Sequence, residues 1–408
     1  MKVFQISIEV NKNSVGKIAE QIGEEILRNK GESYITYARS CLPSKSKTIK
    51  IGNRFDLYYH GVQTRLFDTH CLHSKRATNN LIKQIDKIAP DIIHLHHIHG
   101  YFIHMEILFN YLKKKNYPVV WTFHDCWSFT GHCAFFDTVD CNKWKTLCYD
   151  CELKKSYPAS YLIDRSTKNF ELKKKLFTSL DNLTIVPVSL WLQDLVKQSF
   201  LKDQKMELIK NGVDISVFDI FKSYSNGLEN ETRKILLGVA STWDERKGLN
   251  EFIKLDKLID HSSYCITLVG LDNKQLAEIP KTIHGFPKTD NVTDLVSFYN
   301  QASIFVNPTK SDTYPTTNLE AIACGIPVVT YNTGGSPEAI TPETGIVTNN
   351  KDAYSILEAI NEIEKERSKG KFSKEVIRNY AIKNFNKQKQ FNQYIDLYKK
   401  VIEKSQLT

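Results

Sequence analysis

Asp312-Thr-Tyr-Pro-Thr-Thr-Asn-Leu-Glu320-Ala-Ile-Ala-Cys-Gly325-Ile-Pro-Val-Val329 is the stretch that decides the fold. Apolar residues on either side of its centre, over 303–308 and 327–331, predict two buried strands. A short helix is predicted between them and ends at Gly325, because glycine commonly follows the last helical turn. Three residues offer side-chain oxygens to cap the start of this helix: Thr316, Thr317 and Asn318.

Two carboxylates lie on this strand–loop–helix–strand unit, Asp312 on the loop and Glu320 inside the helix. A helix N-terminus that faces the carboxyl ends of parallel strands binds anions, because its unpaired N–H groups point at the ligand. The stretch therefore predicts an anion site. The alternative is an ordinary unit of this kind with both acids in solvent.

Length and composition indicate a globular protein of two domains. The 408 residues exceed what one hydrophobic core usually organises, and 41% hydrophobic with 25% charged residues is an ordinary composition. No apolar run is long enough for a membrane span, and Met1–Ile8 predicts an amphipathic strand instead of a signal peptide. Nine cysteines without an export signal favour a reduced, cytoplasmic setting over a disulfide framework.

The net charge of +9 is concentrated in residues 1–210. Lysine runs at 113–115, 154–155 and 173–175 contribute to it. A basic face of this kind could meet nucleic acid, an anionic membrane surface or a phosphorylated acceptor. Lysines scattered in solvent are the alternative.

Two series of alternating strands and helices follow each other along the chain, joined by the polar segment 223–233. The first series comprises the strands Val3–Ile8, Ser33–Tyr37, Asp91–Leu95, Pro118–Phe123 and Thr184–Val188 and the helices Val15–Asn29, Asn79–Ile88 and Tyr101–Lys114. The strands of the second are Lys234–Ala240, Tyr264–Val269, Thr282–His284, Ser303–Asn307, Pro327–Tyr331 and Gly345–Thr348. The expected fold class is α/β, with two Rossmann-like domains facing each other across a cleft.

Small and cationic residues mark the turns that follow the first strand of each series. Gly16, at the predicted entry to the first helix, would let the backbone approach a ligand closely. Arg246 and Lys247 suit a diphosphate, whose charge must be neutralised as a leaving group departs, or else form a solvated turn. Neither G-x-G-x-x-G nor a P-loop occurs, which argues against hydride transfer and P-loop phosphoryl transfer.

Five histidines lie at or just after the strand predicted at 91–95: His94, His96, His97, His99 and His104. Of these, His94 and His96 share a strand face and could hold a metal or line the cleft. His124 and Asp125 follow the next strand, a position from which open α/β sheets usually contact ligands. His124 could act as an acid, a base or a hydrogen-bond donor to a sugar hydroxyl, or could only hold its loop.

A cysteine-rich loop spans residues 126–151. Cys133, Cys141, Cys148 and Cys151, which end in C-x-x-C, resemble the ligands of a closed structural zinc site. Their spacing differs from that of named zinc fingers, Cys126 is a fifth candidate, and buried thiols without metal are the alternative.

These motifs together resemble the retaining GT-B glycosyltransferases of family 4, especially those of bacterial exopolysaccharide, O-antigen and colanic-acid-type clusters. The likeness covers nearly the whole chain. Its motifs, in the family's order, are Gly16, Thr122–Asp125, Asn211–Asp214, Arg246–Gly248 and the acid pair Asp312 and Glu320. The cysteine-rich loop with Lys154–Pro158 resembles one exopolysaccharide subgroup.

The resemblance implies a role for each matching residue of the second half. Glu320 matches the second acid of the family's E-x7-E motif, which binds the ribose of the donor nucleotide. Asp312 stands where the family has glutamate, near the hydroxyls of the transferred sugar. Lys247 matches the lysine that holds the donor diphosphate. The family's usual arginine is replaced by Thr242, so Arg246 is expected to supply that charge.

In the first half, His124 matches the histidine that approaches the donor sugar, and Gly16 matches the glycine loop near the diphosphate and acceptor. The family also implies that the diphosphate lies over the helix start. The expected catalytic residues are His124, Asp312, Arg246 and Lys247. The expected donor-binding residues are Gly16, Arg246, Lys247, Thr316, Thr317, Asn318, Leu319 and Glu320.

The predicted domains are residues 1–215 and 216–385, followed by a helix at 386–408. As in other GT-B proteins, helices over Tyr380–Lys404 are expected to cross back to the first domain.

The implied activity is transfer of a hexose-type sugar, with retention, from a UDP-linked or else a GDP-linked donor. The implied acceptor is an undecaprenyl-diphosphate-linked glycan of O-antigen, lipopolysaccharide or exopolysaccharide biosynthesis. No D-x-D motif occurs, so no catalytic metal is expected, and the cations and the helix dipole stabilise the leaving phosphate. The expected location is cytoplasmic, peripheral at the anionic inner face of the bacterial plasma membrane, with no nucleic-acid partner.

Two other functions stay open from the sequence. A catalytically inactive sugar-nucleotide-binding scaffold would explain the departures at Asp312 and Thr242. A zinc-stabilised nucleic-acid-binding protein would use the basic half and the cysteine-rich loop, although aromatic residues do not interleave with the lysine runs.

Overall fold

The computed structural model describes residues 1–220 and 227–406, and the chain divides into two units. The first unit contains Met1–Lys210 and Gln390–Thr408, and the second contains Asn211–Lys389. The division after Lys210 lies five residues before the boundary expected from the sequence at 215. Of the polar connection predicted at 223–233, residues 223–226 lie outside the described residues.

A parallel sheet forms the centre of the first unit. The strands found in its described residues are β1 (Lys2–Ile6), β2 (Glu9–Val10), β3 (Glu32–Tyr37), β4 (Ser40–Cys41), β5 (Lys47–Lys50), β6 (Ile92–Leu95), β7 (Val119–Phe123), β8 (Leu183–Pro187) and β9 (Lys205–Met206). The sheet has the order β5-β3-β1-β6-β7-β8-β9, and β2 pairs with β4 beside it. The order reverses direction at β1, which is the doubly wound arrangement.

Helices cover this sheet. They are α1 (Asn13–Arg28), α2 (Arg54–Phe67), α3 (Lys75–Ile88), α4 (Met105–Lys115), α5 (Ser166–Phe177) and α6 (Leu190–Gln198). The sequence predicted that α4 begins at Tyr101, which is wrong. Gly100 and Tyr101 have φ values of +122° and +75°, which a right-handed helix cannot contain.

The second unit repeats the architecture. Its described strands are β10 (Lys234–Val239), β11 (Tyr264–Val269), β12 (His284–Phe286), β13 (Ala302–Asn307), β14 (Val328–Tyr331) and β15 (Gly345–Thr348), in the parallel order β12-β11-β10-β13-β14-β15. The helices are α7 (Leu249–Asp256), α8 (Asn273–Glu278), α9 (Val292–Gln301), α10 (Thr316–Ala323), α11 (Ala353–Arg367) and α12 (Lys374–Asn384). The predicted α/β class with two parallel sheets is confirmed.

The last helix, α13 (Lys387–Gln406), packs its apolar face into the core of the first unit. Phe391, Tyr394 and Tyr398 are buried there together with Ile92 of β6 and Val120 of β7. The helical pattern predicted over 380–404 is interrupted, because α12 ends at Asn384 and α13 begins at Lys387. None of the helices in the described residues is long and apolar enough to cross a membrane.

Hydrogen bonds inside this core fix α13 on the sheet. The hydroxyl of Tyr398 lies 2.6 Å from Nδ1 of His94, and Nε2 of His94 lies 2.8 Å from Oγ1 of Thr122. His96 contacts Gln5 at 2.9 Å and His124 at 3.2 Å through its two ring nitrogens. Protein groups therefore occupy both ring nitrogens of His94 and of His96, so this pair does not form the metal site considered from the sequence.

We expect Tyr398→Phe to lower the free energy of unfolding by about 1–3 kcal/mol, because it leaves Nδ1 of buried His94 without its partner. Urea unfolding followed by tryptophan fluorescence measures this. The signal reports mainly on the first unit, which holds four of the five tryptophans: Trp121, Trp127, Trp144 and Trp191. Tyr354→Phe, at a 68% exposed tyrosine, is the matched control. Equal midpoints for the two variants would contradict the prediction.

Candidate functional site

An ion pair at the carboxyl edge of the second sheet brings Lys247 and Asp312 together. Lys247 ends the 3₁₀ turn Glu245–Lys247 after β10, and Asp312 lies in the loop after the neighbouring strand β13. Nζ of Lys247 lies 2.5 Å from Oδ2 of Asp312. Burial raises the pKa of Asp312, but the charges of Lys247 and Arg246 outweigh it and hold this pKa below its usual value. The carboxylate is therefore ionised at neutral pH.

Two glycines let the loops that carry this pair approach their neighbours. Gly248 has a φ of +80°, and a Cβ there would lie 2.4 Å from the carbonyl oxygen of Pro308. Gly334 has a φ of +55°, and a Cβ there would lie 2.1 Å from the carbonyl oxygen of Asp312. A side chain at either position would push the loops apart and disturb the ion pair.

Arg246 belongs to the same cluster. Its Nη1 donates a hydrogen bond to the carbonyl oxygen of Ser311 at 2.8 Å and lies 4.0 Å from Oδ2 of Asp312. Its own carbonyl oxygen accepts a hydrogen bond from the backbone N–H of Lys310 at 2.7 Å. Arg246, Lys247 and Asp312 thus share this edge of the sheet, and their contacts with a donor stay a prediction.

The start of α10 differs in detail from the prediction. Pro315 is the N-cap residue, and it makes no side-chain hydrogen bond to the helix. Thr316, Thr317 and Asn318 are therefore the first residues of the helix instead of its caps. Thr316 and Thr317 are half-buried. The first turn also lacks an acid among these described residues, so backbone N–H groups determine the electrostatics there.

Asn318 and Leu319 point into the protein. The amide oxygen of Asn318 accepts a hydrogen bond from Asn307 at 2.8 Å, and its amide nitrogen donates to the carbonyl oxygen of Ser336 at 3.2 Å. The Leu319 side chain is fully buried. Contact between either residue and a ligand at the helix start would therefore be made by its backbone.

Glu320 lies one helical turn after Thr316. Its Oε2 accepts a hydrogen bond from the hydroxyl of Tyr299 in α9 at 2.9 Å. Tyr299 is fully buried, and burial together with the nearby carboxylate raises its pKa. Tyr299 therefore fixes the carboxylate of Glu320, a contact that no motif in the sequence indicated.

A second cluster lies at the carboxyl edge of the first sheet, where His97 and His99 follow β6 and His124 and Asp125 follow β7. His124 is 9% exposed, and burial, reinforced by His97 and His96, holds its pKa well below 6.5. Its imidazole is therefore neutral at pH 7 and suits hydrogen bonding better than proton donation.

Asp125 is the acidic member of this cluster. Its Oδ2 lies 3.0 Å from Nε2 of His99 and 3.3 Å from Nε2 of His97. Burial raises the pKa of Asp125, but His99 and His97 outweigh it and keep the pKa low. Burial also lowers the pKa of His97 to about 4. From the sequence, His94 and His96 were the pair considered for a metal or for lining the cleft, and no metal site with Asp125 was predicted.

Gly16 lies in the first turn of α1, which begins at Asn13 and not at Val15 as predicted. A Cβ at Gly16 would lie 3.1 Å from the carbonyl oxygen of Glu9. The carbonyl oxygen of Gly16 accepts a hydrogen bond from the N–H of Asn11. The missing side chain therefore allows close packing of the β2 backbone. A contact with a ligand stays a prediction.

The four candidate zinc ligands are free thiols in one loop region. Cys133, Cys141, Cys148 and Cys151 line a cavity of about 20 Å³ beside Trp144. A hydrogen bond with Cys133 lowers the pKa of Cys151 to about 7, and the N–H of Gly131 donates to Sγ of Cys148 at 3.2 Å. Metal binding by these thiols stays a prediction.

Lys173 corrects the sequence-based view of the lysine run at 173–175. Its side chain is buried, and Nζ donates hydrogen bonds to the carbonyl oxygens of Trp127 at 2.7 Å and Thr130 at 3.0 Å. Burial lowers its pKa to about 8. Lys173 holds the loop after β7 and does not contribute to a basic surface.

Comparisons with known proteins agree with this geometry. The model described as Glycosyltransferase Family 4 matches residues 43–217, and the model described as Glycosyl transferases group 1 matches residues 221–384. The chain is 26% identical over 294 residues to the putative colanic acid biosynthesis glycosyl transferase WcaC of Escherichia coli, covering 69% of each protein.

Solved structures show the same fold. Sucrose-phosphate synthase from Thermosynechococcus elongatus has a TM-score of 0.72 at 15% identity and covers 98% of this chain and 99% of its own. Anabaena HepE in complex with UDP and glucose has a TM-score of 0.67 at 14% identity, with 97% and 99% covered. The chain is therefore a glycosyltransferase of the GT-B fold and belongs to the family that joins a Family 4 domain to a group 1 domain.

Proposed function

We propose that this glycosyltransferase transfers a hexose-type sugar from a nucleotide-sugar bound to its second unit. The cluster of Lys247, Arg246 and Asp312 at the same sheet edge as the start of α10, with Glu320 one turn further, carries the proposal. A UDP-sugar is favoured over a GDP-sugar, and the similarity to HepE, which was solved with UDP and glucose, supports this choice.

In this proposal the donor diphosphate interacts with Lys247 and Arg246, whose positive charge Asp312 neutralises in part. Lys247 and Arg246 carry two positive charges, which Asp312 beside Lys247 and the half-exposed Asp244, 3.9 Å from Arg246, offset in part. The start of α10 adds roughly half a positive charge. When the bond between the sugar and the diphosphate breaks, negative charge collects on the leaving group. Cations already fixed at that place stabilise it without reorganisation, and no catalytic metal is required for this step.

Asp312 and Glu320 bind hydroxyl groups in the proposal. A carboxylate accepts short, strong hydrogen bonds from hydroxyls, so Asp312 suits the transferred sugar and Glu320 suits the ribose. Tyr299 keeps Glu320 in one position before the nucleotide arrives. His124 serves as a neutral hydrogen-bond partner for a sugar hydroxyl, since burial keeps its pKa low. Retention of configuration remains part of the proposal through the family resemblance.

The acceptor is proposed to be an undecaprenyl-diphosphate-linked glycan in the synthesis of a bacterial surface polysaccharide. Similarity to WcaC, whose name refers to colanic acid, favours an exopolysaccharide over O-antigen or lipopolysaccharide as the product. Lysines of the first unit would meet the anionic inner face of the plasma membrane from the cytoplasm. Transfer to such an acceptor, followed as UDP release, tests the function directly.

We expect Lys247→Ala to lower the transfer rate about 100-fold, because one preorganised contact to the leaving diphosphate is lost. UDP release in the presence of a lipid-linked acceptor measures the rate, and the melting temperature checks the fold. Lys274→Ala, at an 81% exposed lysine of the same unit, is the control and should retain full activity. Full activity of Lys247→Ala would remove the diphosphate assignment.

We expect Glu320→Gln to weaken UDP binding about tenfold, because hydrogen bonds to a neutral amide are weaker than those to a carboxylate. The amide oxygen can still accept the hydrogen bond from Tyr299, so the local structure should persist. Titration calorimetry with UDP gives the dissociation constant. Glu278→Gln, at a 62% exposed glutamate, is the control. Unchanged UDP affinity would show that Glu320 does not bind the ribose.

A further inference from the structure

The cluster of His97, His99 and Asp125 has no part in the proposed donor site. Its residues follow β6 and β7, which are parallel neighbours in the first sheet. Nε2 of His97, Nε2 of His99 and Oδ2 of Asp125 all lie within 4.8 Å of one another. The topology therefore brings three atoms that commonly ligate metals to one point at the carboxyl edge of the sheet.

The two ring nitrogens lie close to the carboxylate, but with poor hydrogen-bond geometry. Oδ2 of Asp125 lies 3.0 Å from Nε2 of His99 and 3.3 Å from Nε2 of His97, yet both nitrogens are buried and have no hydrogen-bond partner. Buried polar atoms rarely remain unsatisfied. Ligand atoms about 2.1 Å from one metal ion, at angles of 90–110°, stand about 3.0–3.4 Å apart. The two distances to Oδ2 of Asp125 have this spacing.

Two of the three side chains are hydrogen-bonded through the atom that does not face the cluster. The hydroxyl of Tyr157 lies 3.0 Å from Nδ1 of His99. The backbone N–H of Trp127 donates a hydrogen bond to Oδ1 of Asp125 at 2.9 Å. Metal-ligating imidazoles usually bond through their other nitrogen, and ligating carboxylates are likewise hydrogen-bonded, so that each ligand is oriented. His99 is 4% exposed and Asp125 is 7% exposed, so both are fixed in the interior.

We infer that His97, His99 and Asp125 form a binding site for a divalent transition-metal ion. Two imidazole nitrogens and one carboxylate suit Zn²⁺ or a similar first-row ion, whereas Mg²⁺ and Ca²⁺ prefer oxygen ligands. Three protein ligands leave at least one coordination position for water or a ligand oxygen. The side chain of His97 is 24% exposed, whereas its Nε2 is buried, so the ion would lie just below the surface.

This site is separate from the proposed donor site and from the cysteine-rich loop. It shares no residue with the Lys247 cluster or with the four candidate thiols. Its consequence lies in the first unit, where an ion would connect the loops after β6 and β7 and so fix Asp125 beside His124.

Cobalt binding to the full chain tests the site. Protein purified without a histidine tag and stripped with EDTA is titrated with Co²⁺, and the visible spectrum and melting temperature are followed. We expect about one equivalent of ion bound through nitrogen and oxygen, without thiolate-to-cobalt charge transfer, and a higher melting temperature. Metal content well below one equivalent, or only thiolate-type absorption, would overturn the inference.

Variants locate the ion. His99→Gln and Asp125→Asn are each expected to weaken Co²⁺ binding at least about tenfold, since altered second-sphere groups alone cost 10–100-fold. His261→Gln, in the second unit, and Cys141→Ser/Cys151→Ser, in the cysteine-rich loop, should keep the nitrogen–oxygen signal. Unchanged binding in His99→Gln, or loss of that signal in the cysteine variant, would contradict the assignment.

X-ray absorption at the zinc edge of the wild-type protein gives an answer even if the ligand variants do not fold. Imidazole scattering with nitrogen and oxygen distances of about 2.0–2.2 Å is expected. A purely sulfur environment would place the ion in the cysteine-rich loop and overturn the inference. None of these measurements depends on sugar transfer, so their outcome is separate from that of the proposed function.

Discussion

A largely buried carboxylate needs a nearby cation. For Asp312, in the loop after β13, this cation is Lys247, in the turn after β10. Removing one partner of such a pair typically costs about 3–5 kcal/mol, because the other charge remains buried and uncompensated. This requirement fixes the distance between the loops that follow β10 and β13. Gly248 and Gly334 are the residues that make the distance attainable, since any side chain there would collide with backbone. The charged edge is thus formed before a ligand binds.

Three buried histidines of the first unit are accommodated by the opposite route. His94, His96 and His124 are held neutral, since burial keeps their pKa values well below 6.5. Neutral imidazoles can be satisfied by hydroxyls and amides, which is why Tyr398 and Gln5 suffice as partners. The second sheet is thus organised at its edge by fixed charges, whereas these histidines of the first sheet are organised by hydrogen bonds between neutral groups.

The sequence predicted the parallel α/β architecture because apolar runs and turns are local properties of the chain. It also placed Lys247 and Asp312 after strands of one sheet, and such strand ends lie at one edge of a parallel sheet. It missed contacts made between distant segments. Tyr299 holding Glu320, and Lys173 holding the loop after β7, depend on side-chain packing that no local pattern records.

Boundary errors have equally definite causes. The start of α4 was placed too early because positive φ at Tyr101 leaves no trace in hydrophobic periodicity. The capping role of Thr316 to Asn318 failed because Pro315 takes the N-cap position, which shifts each of them into the helix. The side chain of Asn318 was expected to cap the helix, yet it bonds to Asn307 and Ser336 in the interior.

The surroundings of Asp312 limit how far its carboxylate can reach. The backbone of Asp312 is held by Gly334 and by a hydrogen bond from the N–H of Gly335 at 2.9 Å, so it cannot move outward to extend its reach. Its carboxylate meets Lys247 directly, where the longer glutamate of the resembling family would extend one methylene further. In the proposed function, a sugar hydroxyl approaching this edge would meet the pair as a unit, with the Asp312 oxygens as acceptors and the Lys247 ammonium as donor. The pair, more than the acid alone, would then set which hydroxyl pattern fits.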